Sequence, residues 1–179
     1  MPTLAEYLTS HPFELVLSSG FFGFFAHTGV VLALEEAGLR PQLLGGSSAG
    51  ALVAGLWGAG LPATDLRSEL LSLSRASFWD VDPLWGLPFY LREGKLRQLA
   101  ELLGVGRLAD ESSGPGLLRG QAFDYLVRGM LERVGVEEFI DCPTKVRVAA
   151  FDLGTLRTEV LEDGDLALAI RASCCFPGM

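Results

Sequence analysis

The chain has 179 residues, 49% of them hydrophobic and 20% charged, and a formal net charge of −8 at pH 7. That length suits one domain with a large core, and that composition excludes a disordered chain. The acidic balance argues against a nucleic-acid partner, which wants a basic face, and gives no electrostatic help at an anionic membrane.

Residues 1–12 read as a leader with a short helix around Leu4–Leu8. Phe13-Glu-Leu-Val-Leu17 reads as a buried strand, and Ser18-Ser-Gly-Phe-Phe-Gly23 as the turn after it. Phe24 to Ala37 reads as a helix that ends at Gly38, with Pro41 beyond. The stretch from Phe13 to Leu34 is apolar enough to suggest a membrane span, but Glu14, His27 and its glycines and serines break it. No basic region precedes it, so no signal peptide is evident, and the expected location is cytoplasmic, at most peripheral to a membrane.

Leu43-Leu44 opens a second strand, which makes a βαβ unit with a parallel sheet. The next helix, Ser48 to Ala59, carries Gly50, Ala51, Ala54, Gly55, Gly58 and Ala59, small residues that let a helix lie close to a sheet. Pro62 to Ser74 is a further helix with Leu66, Leu70, Leu71 and Leu73 on its apolar face. Phe78 to Tyr90 is aromatic and broken by proline; it reads equally as a lid or lipid-facing cap and as a satellite cluster over the sheet edge. A helix over 94–103, a polar loop over 110–116, and an amphipathic helix from Gln121 to Arg133 follow, then a short turn or helix at Val136–Ile140. Lys145 to Phe151 is a central strand, paired through a turn at Gly154-Thr155 with a strand at Thr158–Leu161. Asp165 to Ser173 is the last helix.

One motif organises these elements. Gly46-Ser47-Ser48-Ala49-Gly50 fits Gly-x-Ser-x-Gly, a tight strand-to-helix turn that lifts one serine hydroxyl above the end of a sheet. Ser47 competes as nucleophile, but Ser48 is the serine with glycine at both −2 and +2. The helix that starts there points its free N–H groups and its positive dipole end at the reaction site.

A serine nucleophile needs a base. The order serine, acid, histidine fails here, because His11 and His27 both precede Ser48. His27 falls among apolar helix positions, which argues against it as the base. A carboxylate that takes the proton directly remains. Asp152 ends a strand and Asp163-Gly164 is the one Asp-Gly pair; both read more readily as turn residues. Cys142, Cys174 and Cys175 lack metal-ligand spacing and read as core residues in a reducing compartment.

Three blocks carry a family resemblance. Leu15 to Gly38 resembles the opening of a bacterial patatin-like phospholipase, and Gly45 to Leu52 resembles that family's nucleophile turn. Gly164 to Gly178 is similar to its later helix and Pro-Gly exit. The resemblance implies an α/β/α three-layer fold with a mainly parallel central sheet, residues 13–179 forming an incomplete patatin-like domain. It implies a Ser–Asp lipid acyl hydrolase, with Ser48 as nucleophile and Gly46 and Gly50 as the elbow glycines. Backbone N–H groups of the first turn would hold the oxyanion. The substrate is a lipid or fatty acyl ester, met in transient contact with a membrane surface; no metal or organic cofactor is implied.

The chain departs from the family twice. Anchored on Ala26-His27, the family's Gly-Gly-Gly-x-Arg-Gly falls on Ser19, Gly20, Phe21, Phe22, Gly23 and Phe24. Only the second glycine stays in place, so the oxyanion hole is expected around Ser19, Gly20 and Phe21. The neighbouring Phe21, Phe22, Phe24 and Phe25 read as core in preference to an acyl channel. The family's catalytic aspartate lies in Asp-Gly-Gly or Asp-Gly-Ala past the Phe-Pro-Gly exit, and is expected beyond Met179. Two further readings stand beside the hydrolase: an inactive lipid- or partner-binding domain, and an acyltransferase with the same nucleophile.

Overall fold

A computed structural model of the chain describes residues 3–20, 22–73 and 120–175. The first helix, α1 (Leu4–Ser10), starts with a capping box between Thr3 and Glu6 and buries none of its residues. Strand β1 (Glu14–Leu17) leads through α2 (Gly23–Glu36) to β2 (Leu43–Ser47), which lies parallel to it. Helices α3 (Ala49–Gly58), α4 (Ala63–Ser72) and α5 (Gln121–Glu132) follow in chain order. A single turn of 3₁₀ helix, Phe139–Asp141, then precedes β3 (Lys145–Asp152). Strand β3 runs parallel to β2, with Ser47 opposite Ala149. Strand β4 (Arg157–Leu161) returns antiparallel to it, and α6 (Leu166–Cys174) is the last described element. The sheet order is β1-β2-β3-β4.

The expected elements are present with most ends shifted by one or two residues; the short element expected at Val136–Ile140 is the 3₁₀ turn at Phe139–Asp141, and Glu14 and Val16 of β1 and Leu71 of α4 are exposed where burial was expected. The expectations over 78–90, 94–103 and 110–116 lie outside the described residues.

Helix α3 is the axle of this arrangement. All ten of its residues are buried, and it touches β1, β2, β3 and each of α2, α4, α5 and α6. Its small residues permit that: a Cβ on Gly55 would come within 2.6 Å of Ile170 Cδ1, and one on Gly58 would overlap Val146. Leu44, Val146 and Val148 face α3 from the sheet and belong to one continuous core. The opposite face of the sheet carries Val16, Phe151 and Val160, each more than half exposed.

Glu35, near the end of α2, ties three helices together. It accepts the Trp57 indole N–H at 2.8 Å, the Ala63 N–H at 3.0 Å and the Arg40 guanidinium at 2.6 Å. Arg40 also lies over the Trp57 ring, 4.5 Å from its centroid. Trp57 is fully buried, so its N–H would be costly without this partner.

Helix α6 is anchored at its start by Asp165, whose carboxylate accepts the Leu168 N–H and pairs with Arg128, each at 2.8 Å. Burial raises the Asp165 pKa, but the Leu168 N–H and Arg128 outweigh it and hold the carboxyl below its ordinary value. A depressed carboxylate contributes stability above its unfolded pKa and loses it as pH falls through the folded value. Asp165→Ala is therefore expected to cost about 1 kcal/mol at neutral pH. The gap from wild type should shrink as pH falls below about 4. Urea midpoints at pH 7 and pH 3 check this; equal gaps at both would show that charge has no part in the anchor.

Candidate active site

Strand β2 ends at Ser47 and α3 begins at Ala49, so Ser48 alone makes the turn, at φ 51° and ψ −117°. That is a left-handed, strained backbone for a residue with a side chain. The turn is this tight because its flanks have no Cβ. One on Gly46 would overlap the Gly50 carbonyl and the Ala51 N, and one on Gly50 would overlap the Leu17 carbonyl at the end of β1. Ser47 lies in register with Leu43 and Gly45, on the sheet face turned away from α3. Ser48 stands at the strand end, half-buried, and among the described residues its hydroxyl has no hydrogen-bond partner.

The backbone of Ser48 is held from a distance. Its N–H donates to Ser173 Oγ at 2.7 Å, and that hydroxyl donates to the Ala149 carbonyl of β3 at 2.6 Å. Cys174 Sγ–H donates to the Ser48 carbonyl at 3.3 Å. Burial pushes the Cys174 thiol up to about 12 and, at a site beside Asp141, the Cys142 thiol up to about 11. Both are neutral thiols and poor nucleophiles at pH 7. Cys142 and Cys174 are part-buried as core residues, whereas Cys175 is exposed, contrary to the expectation that all three pack inside.

The turn after β1 lies beside this elbow. A Cβ on Gly50 would come within 2.8 Å of the Ser18 carbonyl, and one on Gly23 within 3.7 Å of Ala49 Cβ. Among the described residues the N–H groups of Ser19 and Gly20 have no hydrogen-bond partner, and Gly20 accepts the Gly23 N–H at 2.8 Å. Ser19 and Gly20 thus sit on the turn next to Ser48; Phe21 lies outside the described residues. His27 Nε2 is 2.9 Å from the Ser18 carbonyl. A carbonyl only accepts, so Nε2 carries the proton and donates it; the ring pins this turn and does not serve as a base through that nitrogen.

The phenylalanines correct one expectation. Phe24 packs against the core, but Phe22 is 69% exposed and Phe25 44% exposed, so the core reading holds for Phe24 and fails for those two. With Ala26, Gly29, Val30 and Ala33, also exposed, they give α2 an uncharged outer stripe that starts beside the elbow.

The two aspartates behave as turn residues. Asp152 accepts the Gly154 N–H at 2.8 Å and the Thr155 hydroxyl at 2.7 Å, and these bonds hold its pKa down. Gly164, after Asp163, takes φ 76° and its carbonyl accepts the Phe139 N–H. Among the described residues no carboxylate bonds to the Ser48 hydroxyl. The sequence reading gave Ser173 no role. The available signal was a pair of small hydrogen-bonding side chains, Ser173 and Cys174, closing an otherwise apolar helix.

An α/β sheet that ends in a strained, glycine-flanked serine turn defines a class of fold with an elbow serine. The chain belongs to the patatin-like phospholipase family, whose model matches residues 15–179. It is 31% identical over 166 residues to an uncharacterized NTE family protein of Mycobacterium tuberculosis, covering 92% of this chain and 38% of that protein. It is 25% identical over 177 residues to a patatin-like phospholipase domain-containing protein of Caenorhabditis elegans, covering 98% of this chain and 11% of that one. The chain therefore spans well under half the length of these relatives. Among solved structures it is similar to the type III effector ExoU. The ExoU of Pseudomonas aeruginosa solved with SpcU gives a TM-score of 0.54 at 23% identity, covering 93% of this chain and 38% of that chain. The fold is thus of the three-layer α/β/α class, and the described residues supply the mainly parallel sheet and the helical layer on one face. No described helix is long and apolar enough to cross a membrane.

Proposed function

We propose that the chain is the nucleophile-bearing part of a serine lipid acyl hydrolase, with residues 13–179 inside the patatin-like domain and 1–12 as a leader. The observation that carries this is Ser48 itself, strained at the end of a central parallel strand between two glycines that admit no side chain. Membership of the patatin-like phospholipase family supports a lipid ester as the substrate.

In this reading Ser48 Oγ attacks the ester carbonyl carbon as its proton passes to an aspartate. That residue belongs to the family's Asp-Gly-Gly or Asp-Gly-Ala motif, to be sought beyond Met179. Negative charge develops on the carbonyl oxygen and is held by N–H groups of the Ser19, Gly20 and Phe21 turn and by the open N-terminus of α3. The Ser48 N–H does not join them, because Ser173 occupies it. Collapse of the intermediate breaks the ester C–O bond, and the departing alcohol takes the proton. Water then attacks the acyl-enzyme, releasing the fatty acid and restoring Ser48. The exposed Phe22, Phe25 and Val30 support an approach to the lipid surface by hydrophobic contact.

The test is fluorophosphonate labelling of the full-length protein with peptide mapping. The expected result is one adduct, on the peptide that contains Ser48, absent in Ser48→Ala. A full-length protein that takes no label would overturn the reading and favour an inactive lipid-binding domain, for which the altered first turn is the specific motive.

A further inference from the structure

Ser173 bridges two backbones that part company at the candidate nucleophile. Strand β2 leaves the sheet at Ser47, whose register partner on β3 is Ala149. The next residue, Ser48, turns away into the elbow, and its N–H is left without a strand partner. The Ser173 hydroxyl fills that gap, accepting from Ser48 N–H at 2.7 Å and donating to the Ala149 carbonyl at 2.6 Å. Both bonds are short, and the second uses the hydroxyl's only proton, so the same oxygen accepts from one backbone and donates to the other. The next residue, Cys174, donates to the Ser48 carbonyl, which also accepts the Leu52 N–H of α3 at 3.1 Å. The last turn of α6 thus grips both ends of the Ser48 residue, from 125 positions away in sequence.

We propose that Ser173 is a positioning residue for acylation: its hydroxyl splints the strained Ser48 backbone to β3 and fixes where Ser48 Oγ points. This rests on the reading of Ser48 as the nucleophile. The physical argument is that a residue at φ 51° and ψ −117° relaxes unless its surroundings hold it. Of the groups that hold it, Ser173 is the one that joins the turn to the sheet through a side chain. Removing the hydroxyl orphans one N–H and frees the elbow to rotate. A misplacement of the attacking oxygen by about 1 Å costs on the order of 100-fold in rate. Substrate affinity, set by contacts with the acyl chain and head group, does not depend on this bond.

The experiment measures the rate of fluorophosphonate acylation at Ser48, and kcat and KM on a soluble fatty acyl ester, in the full-length protein and in Ser173→Ala, Ser173→Cys and Ser173→Thr. Ser173→Ala is expected to lose about 100-fold in acylation and in kcat with KM within about threefold of wild type. Ser173→Thr, which keeps the hydroxyl, should restore most of the rate. Ser173→Cys, near in size but a weak donor, should resemble Ser173→Ala and serves in its place if that variant does not fold. Wild-type labelling at Ser48 with unchanged acylation in Ser173→Ala, or in Ser173→Cys, overturns this inference alone. A rise in KM at constant kcat, or failure of threonine to restore the rate, also overturns it. No label at Ser48 in wild type overturns the Ser48 reading and the inference with it.

Discussion

Gly50→Ala is expected to yield no soluble, cooperatively folded protein. A Cβ at this position would overlap the carbonyl oxygen and carbon of Leu17 and lie 2.8 Å from the Ser18 carbonyl. These are backbone atoms of β1 and the turn after it, so no flexible side chain can swing aside. Relief requires α3 to move off the sheet, and α3 is buried along its whole length. Displacing it opens voids against Leu44, Val146 and Val148 on one side and α6 on the other. A clash of this kind belongs with the single substitutions that cost more than about 4 kcal/mol, against a total stability of about 5–15 kcal/mol. The control is Gly129→Ala on α5, where an added Cβ meets nothing within 4 Å. That variant is expected to gain about 0.5–1 kcal/mol, since alanine is the better helix former. Soluble yield and urea midpoints of the two variants decide the matter; a Gly50→Ala midpoint near wild type would mean that α3 and β1 do not approach so closely.

Ser48→Ala is expected to remove about 10⁴-fold or more of the ester hydrolysis of the full-length protein while leaving it folded. Such a loss follows only if Ser48 forms the acyl-enzyme, since removing a hydroxyl that merely binds substrate costs far less. The stability half of the prediction separates the residue's chemistry from its backbone. Alanine inherits the same strained φ and ψ, because the strain belongs to the Cβ. Ser48→Gly relieves it and should be more stable than Ser48→Ala by about 1 kcal/mol, the strain released exceeding the extra freedom of glycine in the unfolded chain. Ser48→Gly should be as inactive as Ser48→Ala. Hydrolysis by either variant within tenfold of wild type would show that another residue attacks the ester.

Most of the fold was legible because the signals are local. Glu14–Leu17 and Leu43–Ser47 are short apolar or small runs that end in glycine- and serine-rich turns, and each is followed by a helix. Gly38 and Gly164 do stop or turn the chain, both at positive φ. The elbow was legible for the same reason: steric demands at Gly46 and Gly50 are written within five residues. What stayed hidden depends on contacts made across the chain. Ser173 acts on Ser48 only because α6 packs against β3 and α3. The Phe22 and Phe25 error came from α2 itself, which is apolar on nearly every face and offers no amphipathic contrast to say which side turns inward. The structural contact of His27 is hidden in the same way, because its partner is a backbone carbonyl nine residues earlier.

The carboxylate of Glu35 has a mechanical meaning as well. Helices α2 and α3 each begin beside the elbow, one after the Ser18–Gly20 turn and the other at Ser48, and each ends at this shared clasp with Trp57 and Ala63. Two rods joined at their far ends and in contact along their length pivot together. The Ser18–Gly20 turn and Ser48 are therefore held at one spacing from two ends, by the close packing at Gly50 and by the distant Glu35 clasp.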